Sequence, residues 1–225
     1  MSIIGRFAKH PFDLLVSWYR KRFGRSAEKT HLEVERKYRL SPEEVSFLPE
    51  KIRSLGFVPA STVSMTDRFL PTAGEGDMVR VRDESESGAK RTLLTFKQWV
   101  GTQDGGRERQ ECEGQVGKLG RRLLLVLGCL VRGSRLLSFS KERQLFDGSL
   151  GGRTVVVSID NVGGLGDYSG FYLEVELLVP LAGDVSSARE AIFGLVVTLL
   201  GEEREMVKLS YQDMLKLSLS QARIS

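Results

Sequence analysis

The chain has 225 residues, 41% hydrophobic and 28% charged, which is ordinary globular composition and excludes a wholly disordered chain. Two cysteines (Cys112, Cys129) and two histidines (His10, His31) exclude a disulfide scaffold, an all-cysteine zinc site and a three-histidine site, so any metal chemistry must rest mainly on oxygen ligands. The net charge of +4 sits at the start: residues 1–29 hold seven basic against two acidic residues, the remainder 26 against 27. A nucleic-acid binder spreads basic charge over its folded body, so no nucleic acid polymer is expected as a partner.

Residues 1–29 read as a separate basic extension ahead of a domain spanning 30–225. Pro11 suits a first helical turn, and Phe12, Leu15, Tyr19 and Phe23 recur at helical spacing beside Arg20, Lys21 and Arg22. Three roles stay open for this amphipathic helix: packing on the domain, peripheral membrane contact, or organelle targeting of a protein otherwise expected in the cytoplasm. His31–Leu40 alternates as a strand. Ser41-Pro42-Glu43-Glu44 then starts a helix with a serine cap, a proline in the first turn and a glutamate at the third position, and Gly56 stops it. Strands follow over 62–70, 77–83, 93–99 and 108–116, with hairpin loops expected at 73–77, 84–90 and 101–106. A helix covers 118–130. Its apolar run from Leu123 to Val131 falls far short of the ~20 residues a membrane-spanning helix needs. Further strands cover 135–147, 153–161 and 170–179, and helices cover 186–200 and 211–218. Gly163-Gly164-Leu165-Gly166 reads as a hairpin loop, because the next strand follows at once and leaves no helix on which a phosphate could rest. The order is that of an antiparallel α+β chain.

The charges of these strands come in i, i+2 sets, and residues two apart share a face. Glu33, Glu35 and Lys37 form one set. Others are Arg80 with Arg82; Arg107, Arg109, Glu111 and Glu113; Lys141 with Arg143; and Glu174 with Glu176. Lys97 and Asp160 are single charges in otherwise apolar strands. The opposite faces (Val34; Val79, Val81; Leu94, Phe96; Leu173, Val175, Leu177) are apolar and need covering by helices. If the sheet curls shut beneath those helices, the charged faces line an interior. So many enclosed charges are costly unless a ligand and ions complete them. The basic side chains suit a multiply charged anion such as a polyphosphate, and the carboxylates suit Mg2+ or Mn2+.

Glu33-Val34-Glu35-Arg36-Lys37 resembles the ExExK signature of the CYTH superfamily, the triphosphate tunnel metalloenzymes. The sequel resembles the family in order: Arg80-x-Arg82, Lys97, Lys141-x-Arg143, Asp160, Glu174-x-Glu176. The similarity covers roughly residues 31–217 and implies an eight-stranded antiparallel β-barrel with flanking helices. It implies metal binding by Glu33, Glu35, Glu174 and Glu176, with Glu111 or Glu113 at a second metal. Asp160 would stand beside the metal or a basic partner. Lys37, Arg80, Arg82, Lys97, Lys141 and Arg143 would bind a triphosphate, joined by Arg109 from the basic–acidic strand and by Lys208 near the C-terminal helix.

The expected activity is Mg2+- or Mn2+-dependent hydrolysis of inorganic triphosphate or an organic triphosphate such as thiamine triphosphate. Glu33, Glu35, Lys37, Glu174 and Glu176 would be the catalytic set. A class IV adenylyl cyclase is the alternative, and a non-catalytic polyphosphate- or nucleotide-binding module is a third reading. Oligomeric state is left open.

Overall fold

The computed structural model describes residues 31–71, 78–101, 107–133, 135–180 and 183–222. The amphipathic reading of residues 1–29, the loop expected at 73–77 and all but the first residue of the loop expected at 101–106 lie outside the described residues. So do the side chains of residues 31, 32, 98–101 and 107–112.

Eight antiparallel strands make one sheet: β1 (His31–Leu40), β2 (Val58–Leu70), β3 (Met78–Glu86), β4 (Ala89–Gly101), β5 (Arg107–Gln115), β6 (Leu137–Leu150), β7 (Arg153–Gly163) and β8 (Gly170–Pro180). Their order is β1-β5-β4-β3-β2-β6-β7-β8, and β1 pairs with both β5 and β8, which closes the barrel. The β1–β5 seam is short, running from Glu33 opposite Arg109 to Glu35 opposite Arg107. Among the described residues four helices accompany the barrel: α1 (Pro42–Ser54), α2 (Lys118–Arg132), α3 (Val185–Leu200) and α4 (Tyr211–Gln221).

Strand alternation decides what these helices cover. Val34, Val157, Val175 and Leu177 point outward under α1 and α3, whose Leu48, Ile52, Ile192 and Leu199 are fully buried against them. Val79, Val81, Leu94 and Phe96 form a second outer layer under Leu124 of α2. At one end of the barrel, Phe69, Phe139, Val162 and Tyr172 meet Tyr211, Met214 and Leu215, so α4 plugs that end. The start of α1 is as the sequence indicates: Ser41 accepts from the Glu44 N–H and the Glu44 carboxylate accepts from the Ser41 N–H.

One loop differs from expectation. The segment 84–90 is composed like a loop, yet β3 runs to Glu86 and β4 starts at Ala89. Only Ser87 and Gly88 turn the chain, both at positive φ (47° and 85°), the two-residue geometry that matches the twist of paired strands. Of the loop expected at Gly163–Gly166, Gly163 ends β7, Gly164 and Leu165 connect, and Gly166 opens a single 3-10 turn before β8.

Candidate active site

The lumen is a cavity of 410 Å3. Its charged lining among the described residues is Glu33, Glu35, Lys37, Asp67, Arg80, Arg82, Lys97, Glu113, Lys141, Arg143, Glu174, Glu176 and Lys208. The inward phase of each strand supplies all of these but Lys208, so the i, i+2 sets converge because the barrel closes. The distribution is asymmetric. Four bases stand on β3 and β6, the two neighbours of β2. Five of the six carboxylates stand on β8, β1 and β5, which are adjacent on the far side. Among the described residues, one wall is basic and the opposite wall holds most of the carboxylates, with Lys37 of β1 among them.

The basic wall is held by two buried carboxylates in parallel arrangements. On β2, the Asp67 carboxylate accepts from Arg82 Nε (2.7 Å) and Nη2 (2.9 Å) and from Arg80 Nη1 (3.2 Å). On β7, the Asp160 carboxylate accepts from Lys141 Nζ (2.8 Å), Arg143 Nε and Nη2 (both 2.6 Å) and the Tyr211 hydroxyl (3.0 Å). Each acid is opposite, in strand register, a base that it holds: Asp67 opposite Arg82 and Asp160 opposite Arg143. Burial pushes the Asp67 carboxyl up, but Arg80, Arg82 and Lys141 together hold it well below the usual carboxylate range. The same opposition holds Asp160 low, with Arg143 and Lys141 overcoming burial. Lys141 moves the other way. Burial and the neighbouring Arg143 bring its ammonium down to about 8, against the pull of Asp160 and Glu174. Arg80 keeps one donor, Nε–H, buried without a hydrogen-bond partner.

The other contacts among the lining charges are mostly looser. Lys97 stands 3.6 Å from Glu33, Lys37 3.8 Å from Glu35 and Arg80 4.0 Å from Glu113. Glu113 also accepts from the Thr95 hydroxyl at 2.7 Å. Glu174 is the tight exception: Lys37 is at 3.0 Å and Arg143 donates to its second oxygen. Burial opposes its ionisation, yet Lys37, Arg143 and Lys141 hold its carboxyl well below the ordinary range.

The segment between α3 and α4 closes the cavity from the side of β1. Arg204 bonds Glu44 (2.8 Å) and the Arg39 carbonyl (3.1 Å), and the Val207 N–H donates to the Lys37 carbonyl (2.8 Å). This brings Lys208 to the lining. It also sets the Tyr211 ring 3.7 Å beneath the Lys37 ammonium and 5.1 Å from Lys141. An ammonium over an aromatic face is attracted by the ring quadrupole. Burial and the Asp160 charge push the Tyr211 hydroxyl well above its usual range, so it stays a donor.

The structure thus places Glu33, Glu35, Lys37, Arg80, Arg82, Lys97, Glu113, Lys141, Arg143, Glu174, Glu176 and Lys208 in one cavity. Of the two placements left open for Asp160, beside the metal or beside a basic partner, it takes the second. It is fully buried behind Lys141 and Arg143 rather than on the lining, because its oxygens already accept four protein hydrogen bonds. Arg107, Arg109 and Glu111 have side chains outside the described residues. Backbone register sets Arg107 opposite Glu35, Arg109 opposite Glu33 and Glu111 opposite Lys97. Sequence reasoning missed Asp67, Glu84 and Tyr211. Asp67 could have been found as a lone acid in phase with Met65 and Phe69. Glu84 continues the Arg80–Arg82 phase and lies 3.7 Å from Arg82.

A closed antiparallel barrel with opposed acidic and basic walls defines a charge-lined β-tunnel. The particular family follows from the sequence: the CYTH domain model matches residues 31–211, and the chain belongs to the CYTH family. No curated protein sequence matches it. Its fold is similar to that of PH1819 from Pyrococcus horikoshii OT3 (TM-score 0.60, 21% identity, 82% of this chain and 98% of that one). It is also similar to a putative adenylate cyclase from Vibrio parahaemolyticus (0.59, 17%, 84% and 99%). A third similar structure is that of HpAC1 from Hippeastrum, a putative adenylyl cyclase with a dominant triphosphatase activity (0.58, 14%, 83% and 95%).

Proposed function

We propose that the protein is a divalent-metal-dependent triphosphate hydrolase. The carrying observation is the opposition of walls: Arg80, Arg82, Lys141 and Arg143 on one side, Glu33, Glu35, Glu174 and Glu176 on the other. A triphosphate presents oxygens all round its chain, and the basic wall takes one side of it through charge-assisted hydrogen bonds. Asp67 and Asp160 position those bases and keep their guanidinium planes fixed.

The far side needs positive charge between ligand and protein, since phosphate oxygens and glutamates repel. Among the described residues no preassembled cluster of three metal-ligating side chains occurs. The donors nonetheless fit a hard cation such as Mg2+ or Mn2+: they are carboxylates, and lysine ammoniums stand 3.6 and 3.8 Å from Glu33 and Glu35, so each already has a cation beside it. Glu33, Glu35 and Glu176 would hold the ion, with Glu113 at the edge of the set. When bound, it neutralises phosphate oxygens and lowers the barrier to in-line attack on phosphorus. Lys37 and Lys97 line the same cavity, where their ammoniums would meet the phosphate chain. The α4 plug and the 206–210 segment limit water at one end of the lumen.

Hydrolysis of the terminal phosphoanhydride by water is favoured over cyclisation, in line with the dominant triphosphatase activity of HpAC1. The test is a panel of inorganic triphosphate, thiamine triphosphate and ATP with Mg2+ or Mn2+, reading phosphate, pyrophosphate and cyclic AMP separately. Phosphate release from a triphosphate is expected. Cyclic AMP with pyrophosphate as the main products would replace this reading by the cyclase. Tight triphosphate binding without turnover would replace it by a binding module.

A further inference from the structure

Helix α2 carries an apolar face that none of the described residues covers. Leu119, Leu123, Val126 and Leu130 are 81%, 54%, 56% and 72% exposed, and their i, i+4, i+7, i+11 spacing places them in one stripe along the helix. The rotation of the helix is fixed from the opposite side. Leu124 and Gly128 are buried against the barrel, and a Cβ at Gly128 would lie 2.7 Å from Leu70 Cδ2. Asp83 on β3 holds Arg121 by two hydrogen bonds of 2.7 and 2.6 Å. The stripe therefore points away from the barrel by construction.

The helix sequence KLGRRLLLVLGCLVR has four basic residues, Lys118, Arg121, Arg122 and Arg132, and no acidic one. We propose that α2 is the docking face of the protein for an anionic lipid surface. At about 1.5 Å per residue its 15 residues make a helix roughly 22 Å long, which lies flat with leucines in the acyl boundary and basic flanks among the headgroups. Charge selects this occupant. Residues 1–29 hold seven basic against two acidic residues, a net charge of the same sign as the helix, so they offer it no charge complement. With Arg121 neutralised by Asp83, a second copy would still set Lys118 and Arg122 against the same two cations. An anionic bilayer offers apolar cover and negative charge together. The inference is independent of the reaction in the lumen, and its variants leave the tunnel lining untouched.

The experiment is sedimentation of the full chain with vesicles of phosphatidylcholine containing phosphatidylserine, against pure phosphatidylcholine. Binding to the anionic vesicles is expected, weakened about fivefold by Arg122→Gln, the effect of one basic residue near such a surface, and reduced by high salt. The triple variant Leu119→Ser, Leu123→Ser, Leu130→Ser loses at least tenfold while melting as the parent does, because all three side chains are exposed. In Leu123→Trp the added fluorescence shifts to shorter wavelength on anionic vesicles, which places the contact at α2 and not at residues 1–29. Undiminished binding by the triple variant overturns the proposal. So does a parent dimer that the same substitutions convert to a monomer, which would identify a second copy as the occupant.

Discussion

Replacing Asp67 with Asn tests the architecture of the basic wall at a residue outside the family motif. The side chain is 1% exposed and takes three hydrogen bonds from Arg80 and Arg82. Asparagine keeps the size but loses the charge, and its NH2 confronts guanidinium donors. Two buried cations then lack their counter-ion. Breaking a buried pair from one side costs about 3–5 kcal/mol. Glu84 and Glu113 remain near Arg82 and Arg80, so we expect the low end, ~3 kcal/mol. With a urea m-value of roughly 2–3 kcal/mol/M, the unfolding midpoint falls by about 1–1.5 M. Adding inorganic triphosphate stabilises any variant that binds it, by about 2.7 kcal/mol at a hundredfold excess over Kd. The gain is larger in Asp67→Asn, where the ligand also supplies the missing negative charge. The double variant Asp67→Asn, Arg82→Gln restores part of the loss, since one uncompensated cation is gone. An unchanged midpoint, or a loss that triphosphate does not reduce, would refute the account.

Glu35→Gln is expected to abolish metal-dependent phosphate release while preserving the far-UV spectrum; full activity would remove Glu35 from the metal set. Tyr211→Phe loses the hydrogen bond to Asp160 but keeps the ring under Lys37, so it lowers stability by about 1.5 kcal/mol. Tyr211→Leu loses both and weakens triphosphate binding further; equal binding by the two variants would deny the ring a part. Lys141 releases its proton near 8 in the folded chain but near 10.5 when unfolded, so its charging opposes folding below pH 8 and stability rises with pH between the two values. Triphosphate binding favours the charged lysine, so calorimetry at pH 8–9 in buffers of different ionisation enthalpy should register proton uptake, and its absence contradicts contact with Lys141. Asp83, tied first by Arg121, has its carboxyl lowered from 3.8 to about 2. Its contribution is present above pH 3.8 and lost as pH falls towards 2, so Asp83→Asn should flatten the acid limb of a pH–stability curve.

Much of the site is legible because a strand has only two faces. Glu33, Glu35 and Lys37 declare a shared face by spacing alone, and Val34 between them requires cover on the other. The same rule puts Arg36 outside, and the structure does so. It is nevertheless buried, 9% exposed, with Nη1 donating to the Glu35 carbonyl, so the charge is enclosed on the outer side as well. Alternation cannot say which strands become neighbours. The pairing of Asp67 with Arg82 depends on β2 lying beside β3, and that of Asp160 with Arg143 on β6 lying beside β7. Glu84 was hidden by local composition, since Ser85, Ser87 and Gly88 resemble a loop while two positive-φ residues suffice for the turn. Tyr211 was hidden because a plug acts across the end of a barrel. Its position depends on Arg204 and Val207 bonding to α1 and β1, contacts with no periodic signature.

The distances within the lumen separate two classes of ion pair, and the separation bears on how a charged tunnel can be both stable and receptive. Asp67 and Asp160 hold most of their bases at 2.6–2.9 Å from neighbouring strands and accept three and four hydrogen bonds respectively. Such pairs lose more than they gain if a ligand pulls them apart. The pairs Lys97–Glu33, Lys37–Glu35 and Arg80–Glu113 span 3.6–4.0 Å. They gain Coulomb energy without good hydrogen bonds, and an anion with a cation can replace both halves at once. Binding then exchanges loose pairs for tight ones while the backing pairs keep the donors aimed. Glu174 belongs to neither class: it is buried and bonded to Lys37 and Arg143. Freeing it requires that the phosphate chain take over both cations. It is therefore the carboxylate whose availability should depend most on substrate, so Glu174→Gln should impair triphosphate-dependent metal binding more than metal binding to the free protein. Titration of Mn2+ with and without a non-hydrolysable triphosphate reads the difference, and equal losses in the two titrations would return Glu174 to a purely structural role.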